Sequence, residues 1–156
     1  MTWRGTVPGP VTAGGWGRGF VLAVSRRWPE PERHYRAWYH FRKLDLFLQS
    51  LARRTDKKFI VTTGDFRLGE VQLVEVLPDV HVLNMIAQEG LHAGSKGPPI
   101  RYEALGACLE KADEMATSFG ASLHMPRIGT GLAGGRWEHV EPLLVKIRNE
   151  VYVYEY

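Results

Sequence analysis

Cysteine is almost absent from this chain, and that scarcity already closes several chemistries. A lone thiol, Cys108, cannot form an internal disulfide, as expected of a reducing compartment. No Cys-x-x-Cys pair exists for zinc, and the six histidines are scattered rather than set at ligand spacing, so no metal and no cofactor are expected. Long apolar runs are missing too: nothing reaches the ~18 consecutive residues of a membrane helix. The opening MTWRGTVPGPVTAGG lacks the apolar stretch of a secretory signal, which makes the cytoplasm the expected location. Charge of one sign is not in large excess. The net charge is +3, and the basic groups Arg26-Arg27 and Arg53-Arg54 with Lys57-Lys58 each have acidic neighbours. Nucleic-acid recognition needs a continuous basic stripe, so these read as solvated faces. Internal repeats and low-complexity tracts are missing as well. What remains is one globular domain, expected to be monomeric, with 156 residues to bury a continuous core.

Glycine, by contrast, is plentiful, with 17 in the chain, and it clusters. Ser122 to Trp137, SLHMPRIGTGLAGGRW, reads as a strand, a glycine-rich loop and the start of a helix. A helix opening there aims unpaired N–H groups and the positive end of its dipole at whatever lies over the loop, the recipe for a phosphate or diphosphate site. Gly129-Thr-Gly131-Leu-Ala-Gly134 satisfies GxGxxG, but a dinucleotide-binding half needs several strands after its helix, and only Val151–Tyr154 reads as one. A second glycine-rich loop, Gly14-Gly-Trp-Gly-Arg-Gly-Phe20, opens onto the apolar run Val21–Val24 and is closed by Arg26-Arg27-Trp28-Pro29. Two such loops could grip one diphosphate from both sides.

Around these loops the chain alternates. Residues 1–13, with Pro8 and Pro10, read as an extended or irregular lead-in. Residues 30–40 form a helix with Tyr35, Trp38 and Tyr39 on one face, read as core-facing. Leu44, Phe47, Leu48 and Leu51 keep helical spacing within an insertion-like stretch, 41–65, that ends in a β-prone run and a Gly64-Asp65 turn. Residues 70–77 and 80–87 are strands joined at Pro78-Asp79, apolar enough for a sheet covered on both faces. Residues 101–119 form an amphipathic helix ended by Gly120, with Cys108 on its buried stripe as a packing residue. A helix over about 138–149, with Pro142 near its start, precedes the last strand. This pattern predicts a three-layer α/β/α sandwich with a mixed central sheet.

The segments GGWGRGFVLAVSRRWPEPE, LGEVQLVEV with VLNMIAQ, PPIRYEALGACL, and MPRIGTGLAGGRWEHVEPLL with VYVYEY together resemble the macrodomains, a family of ADP-ribose-binding modules and ADP-ribosyl hydrolases. The resemblance covers 13–38 and 66–156. It implies that Gly14, Gly15, Trp16, Gly17, Gly19 and Phe20 embrace the distal ribose of ADP-ribose. Ile128, Gly129, Thr130, Gly131, Leu132 and Ala133 would hold the diphosphate. Within the family the chain is most similar to the terminal ADP-ribose protein glycohydrolase branch, which releases ADP-ribose from protein glutamate with a lysine and an aspartate. At those positions stand Gln88 and Ala133, and neither can supply an amine adduct or a proton. The family's early Gly-Asp for adenine is also missing: Val11-Thr12 precede the first loop, and Gly64-Asp65 stands elsewhere.

Two functions follow from this resemblance. One is a hydrolase that removes mono-ADP-ribose from acidic side chains of modified proteins, its water oriented by Gln88 and Thr130. The other is a reader that binds ADP-ribose without turnover.

Overall fold

A computed structural model describes residues 16, 19–53, 59–90, 94, 97–131 and 133–155, together with the backbone of 2–6. Its centre is a strand that local sequence does not announce. The lead-in contains β1 (Thr2–Thr6), which lies parallel between β4 (Val80–Met85) and β5 (Ser122–Pro126). With β2 (Ile60–Thr62), β3 (Val71–Leu77) and β6 (Val151–Tyr154) the sheet runs β2-β3-β4-β1-β5-β6. β2, β3 and β4 pair antiparallel, and β6 pairs parallel to β5. The short TWRGT segment has little intrinsic strand signal; hydrogen bonds from neighbours on both sides make it a strand.

Alternation along β3 and β4 sorts the helices into two layers. Val71, Leu73, Leu83 and Met85 pack with Leu105, Cys108, Leu109 and Ala112 of α4 (Tyr102–Phe119), a cluster that β5 joins through Leu123 and Met125. On the opposite face Val76 and Val82 meet Val24 and Trp28, at α1 (Phe20–Arg27) and its end. α2 (Glu30–Phe41) lies beside it, its backbone tied to the sheet by buried amides. Gln72 donates to the His34 carbonyl at 3.2 Å, and Asn84 donates to the Pro31 carbonyl at 3.0 Å and to the Gln72 amide oxygen at 3.1 Å. Tyr35 and Trp38 are fully buried, as their helical spacing predicts, and each contributes roughly 2–3 kcal/mol of apolar transfer. Tyr39 is only half-buried.

Other expectations hold with adjusted boundaries. The helix of the 41–65 stretch is α3 (Leu44–Ala52), but Phe47 alone is fully buried while Leu46 and Leu48 remain exposed. Asp65, found outside the place of an adenine-binding aspartate, accepts the Leu44 N–H at 2.8 Å and pairs with Lys43 at 3.2 Å, so it caps α3 from across the chain. Those contacts, the backbone one first, hold its carboxyl below the usual value. Gly120 ends α4 in the left-handed conformation. Cys108 is fully buried, and burial pushes its thiol up to about 12, consistent with packing.

The last helix is shorter than its periodicity suggests. α5 spans Trp137–Leu144, so Pro142 lies in its interior rather than near its start. Asp113 of α4 accepts the N–H groups of Arg148 and Asn149 at 3.1–3.2 Å. Those donors are thereby withdrawn from a continuing helix, and Pro142 has already removed one of its own.

Candidate functional site: the crevice at the carboxyl ends of β1, β4 and β5

β1, β4 and β5 are parallel, so their carboxyl ends share one edge of the sheet. The chain after β1 next forms α1 on one face, whereas the chain after β4 and after β5 forms α4 and α5 on the other. Connections diverging to opposite faces leave a crevice at the strand ends, where open α/β sheets bind ligands. The amino termini of the following helices open at this edge. α1 has Gly19 at its cap, no side-chain cap bond and no acidic residue in its first turn. The positive end of its dipole, with no acidic side chain in the first turn, suits an anion.

The turn after β5 is shaped by its own backbone. Ile128 and Ala133 are buried. Gly129 has φ 79°, a left-handed conformation that a side chain would strain. The N–H of Gly135 donates to the Gly129 carbonyl at 2.7 Å and that of Gly134 to Gly131 at 2.9 Å. The chain closes so tightly that a Cβ on Gly135 would collide with the Gly129 carbonyl oxygen and sit 3.1 Å from the Ile100 side chain. Gly131 is exposed with nothing within 4 Å of its Cβ position. Among the described residues, the N–H groups of Gly129, Thr130 and Gly131 have no acceptor. The Thr130 hydroxyl donates to the Arg127 carbonyl at 2.8 Å.

Of the first loop's predicted residues, Gly14, Gly15 and Gly17 lie outside the described residues, as do Val11, Thr12 and, in the second loop, Leu132. Trp16, Gly19 and Phe20 are described. Trp16 is buried against Tyr35, ring centroids 5.3 Å apart, and its indole N–H donates to Ser25 of α1 at 2.6 Å. Phe20 is half-buried and packs against the cluster of Val24 and Trp28. Both aromatic rings are therefore seated in the helical layer on that face of the sheet.

Gln88 reaches the same crevice from β4. Its backbone bridges to Ile100, whose N–H donates to the Ala133 carbonyl at 3.1 Å and whose side chain underlies Gly129 and Gly135. Sequence reasoning assigned no role to Ile100, although it is the floor joining Gln88 to the second loop. The Gln88 side-chain amide donates to the Gly90 carbonyl at 3.0 Å. Arg101 holds this segment by donating to the Pro98 carbonyl at 2.6 Å and pairing with Glu89 at 3.5 Å. Also unforeseen were Tyr102, whose hydroxyl accepts the Arg136 N–H at 3.0 Å, and Arg127, lying 5.0 Å from the Trp137 ring centroid and paired with Glu155 at 3.1 Å. A Pro-Pro-Ile-Arg-Tyr string beside a glycine loop was the visible signal. Its partners lie about 30 residues away, as the 34-residue separation of Tyr102 and Arg136 illustrates.

Among the described residues no group of three or more His, Cys, Asp or Glu side chains could hold a metal ion. No helix among them is long and apolar enough to cross a membrane. Beside the charged Arg101, Glu89 and Arg127, the edge offers backbone donors, a helix terminus and the neutral side chains of Gln88 and Thr130. Such a set recognises an anion and orients water.

No protein-family model matches the chain, and no curated protein does. Solved structures do. A protein of unknown function from Bacteroides thetaiotaomicron is 38% identical over 100% of this chain and 88% of its own length, with a TM-score of 0.79. A macrodomain protein from Streptomyces coelicolor is 41% identical over 100% of this chain and 88% of its own, with a TM-score of 0.72. A mutant of the Oceanobacillus iheyensis macrodomain, solved with ADPR, shares the fold alone: 14% identity over 97% of this chain and 75% of its own, TM-score 0.50.

Proposed function

The chain belongs to the macrodomain family, and from that membership we propose that it binds ADP-ribose in this crevice and hydrolyses the bond between mono-ADP-ribose and an acidic protein side chain. One observation carries the binding: three consecutive N–H groups, Gly129 to Gly131, without an acceptor among the described residues, beside an open position at Gly131. Diphosphate oxygens would supply those acceptors, with the uncapped α1 terminus facing the same edge. A fold relative, the Oceanobacillus macrodomain mutant, was solved with ADPR. Trp16, Gly19, Phe20, Ile128 and Ala133 would frame the ligand, joined by Gly14, Gly15, Gly17 and Leu132.

For the hydrolysis, a water's oxygen bonds to the ester carbonyl carbon and the bond from that carbon to the ribose oxygen breaks. The released ribose hydroxyl takes the water's proton, leaving a free glutamate or aspartate and ADP-ribose. Gln88 and Thr130 are the orienting groups. Each spends a donor on its own backbone, on Gly90 and Arg127 respectively, which leaves oxygen lone pairs to accept a water's hydrogens. Neither titrates, so positioning rather than a strong base supplies the rate, and the glutamine disfavours a lysyl adduct.

A second reading, a reader without turnover, draws support from the second loop's composition. The described residues of 127–136 hold no carboxylate, histidine or lysine. The deciding experiment is release of ADP-ribose from protein modified on glutamate, beside protein modified on serine, with Gly131→Glu as control and calorimetric titration of free ADP-ribose. Release from the glutamate substrate that the variant loses establishes the hydrolase. Binding without release makes the protein a reader. No binding overturns both.

A further inference from the structure

Trp16, ahead of α1, is held by a closed circuit of side chains from α1 and α2. The Trp16 indole N–H donates to the Ser25 hydroxyl at 2.6 Å, and that hydroxyl donates to Glu32 Oε2 at 2.7 Å. Glu32 Oε1 accepts from Arg36, with Nε at 2.9 Å and Nη2 at 2.8 Å. Arg36 Nη2 then returns to the Trp16 carbonyl at 3.4 Å. The circuit thus grips both the ring and the backbone of Trp16, and it passes through α1 and α2 to do so. We propose that Glu32 is a positioning residue: without touching ligand, it fixes Trp16, one of the residues that would frame the ligand ahead of α1.

The chemistry of the circuit makes Glu32 its hinge. Ser25 has one hydrogen, which it donates while accepting from Trp16, so its partner must present it an acceptor oxygen. An ionised carboxylate offers two acceptor oxygens, one for Ser25 and one for the Arg36 fork, and bonds to a charged acceptor are the stronger kind. Glutamine in its place offers one oxygen and turns two hydrogens toward donors. The circuit then opens at Ser25 or at Arg36, and either break frees one of the two grips on Trp16. The α1–α2 packing does not depend on it, because Val21, Val24, Tyr35 and Trp38 are buried apolar anchors.

The consequence for affinity rests on the ADP-ribose reading, so the test has two readouts. Trypsin cleavage after Arg18, in the glycine-rich sequence around Trp16, reports the grip without ligand; cleavage after Lys111 in α4 reports global unfolding. Calorimetric titration with ADP-ribose reports the site. For Glu32→Gln and for Ser25→Ala, cleavage after Arg18 rises about tenfold and affinity falls about tenfold, the scale of one charge-assisted hydrogen bond. Cleavage after Lys111 stays at the wild-type rate, and Ser25→Thr, which restores the hydroxyl, behaves as wild type. Unchanged cleavage after Arg18 in both variants overturns the proposal, as does an equal rise after Lys111. Faster cleavage after Arg18 in a protein whose wild type binds no ADP-ribose upholds the grip and overturns the ligand reading instead.

Discussion

The turn after β5 and Trp16 ahead of α1 both lie in glycine-rich sequence, and they are held by different means. The first is self-contained: Gly135 bonds to Gly129, Gly134 to Gly131, and Ile100 fills the floor. The second is tied from outside, through Ser25, Glu32 and Arg36. A backbone-closed turn presents N–H groups in a geometry set by steric contact and gains little from side-chain chemistry. A residue tethered as Trp16 is can be adjusted by changing one distant polar residue. The difference teaches that similar glycine content does not mean similar sensitivity to mutation.

Substitutions can break or sharpen that contrast, and the largest effect belongs to the self-contained turn. Gly135→Ala drives a Cβ into the Gly129 carbonyl oxygen, so stability measured by urea unfolding falls by about 3 kcal/mol or more. Gly131→Glu, four residues away, meets open space and leaves the unfolding midpoint near wild type. It nevertheless costs about 100-fold in ADP-ribose affinity by titration, through crowding and charge repulsion at the diphosphate.

A control lies away from both loops, at Glu70. Burial raises its carboxyl, but hydrogen bonds from Thr63 and Lys111, with Arg67 alongside, outweigh that and hold it below the usual value. A folded-state value below the unfolded one means stability that is present above the unfolded carboxyl range and is lost as pH falls through the folded value. Glu70→Gln therefore lowers stability by about 2 kcal/mol at neutral pH. The gap from wild type narrows in acid, as read by unfolding at a series of pH values. The smallest effect is that of Glu155→Gln. Its pairing with Arg127 is solvent-exposed, so stability shifts by no more than about 0.5 kcal/mol.

Much of the architecture was legible because it is local. The three- and four-residue rhythm of Leu105, Cys108, Leu109 and Ala112 marks α4, and Gly120 marks its end. The near-continuous apolar runs of β3 and β4 foretold a sheet covered on both faces. Of the site, the second loop was readable as a glycine turn, and Trp16 could be named but not given its contacts. Glu32 and Arg36 stand one helical turn apart and could be paired from spacing alone. Their link to Trp16 could not, since it spans 20 residues and two helices.

Dihedral preference, side-chain period and the freedom of glycine act over a few residues, and they settled α2 and α4, the β3–β4 hairpin and the turn after β5 from the sequence itself. Contacts between distant segments settled the rest. β1 became the sheet's central strand because two parallel neighbours supply its hydrogen bonds, and Asp65 became the cap of a helix that starts 21 residues earlier. Gln88 came beside the second loop through the backbone of Ile100. Each of these requires a hydrogen-bond partner that the chain brings near only by folding, so no local pattern could announce it.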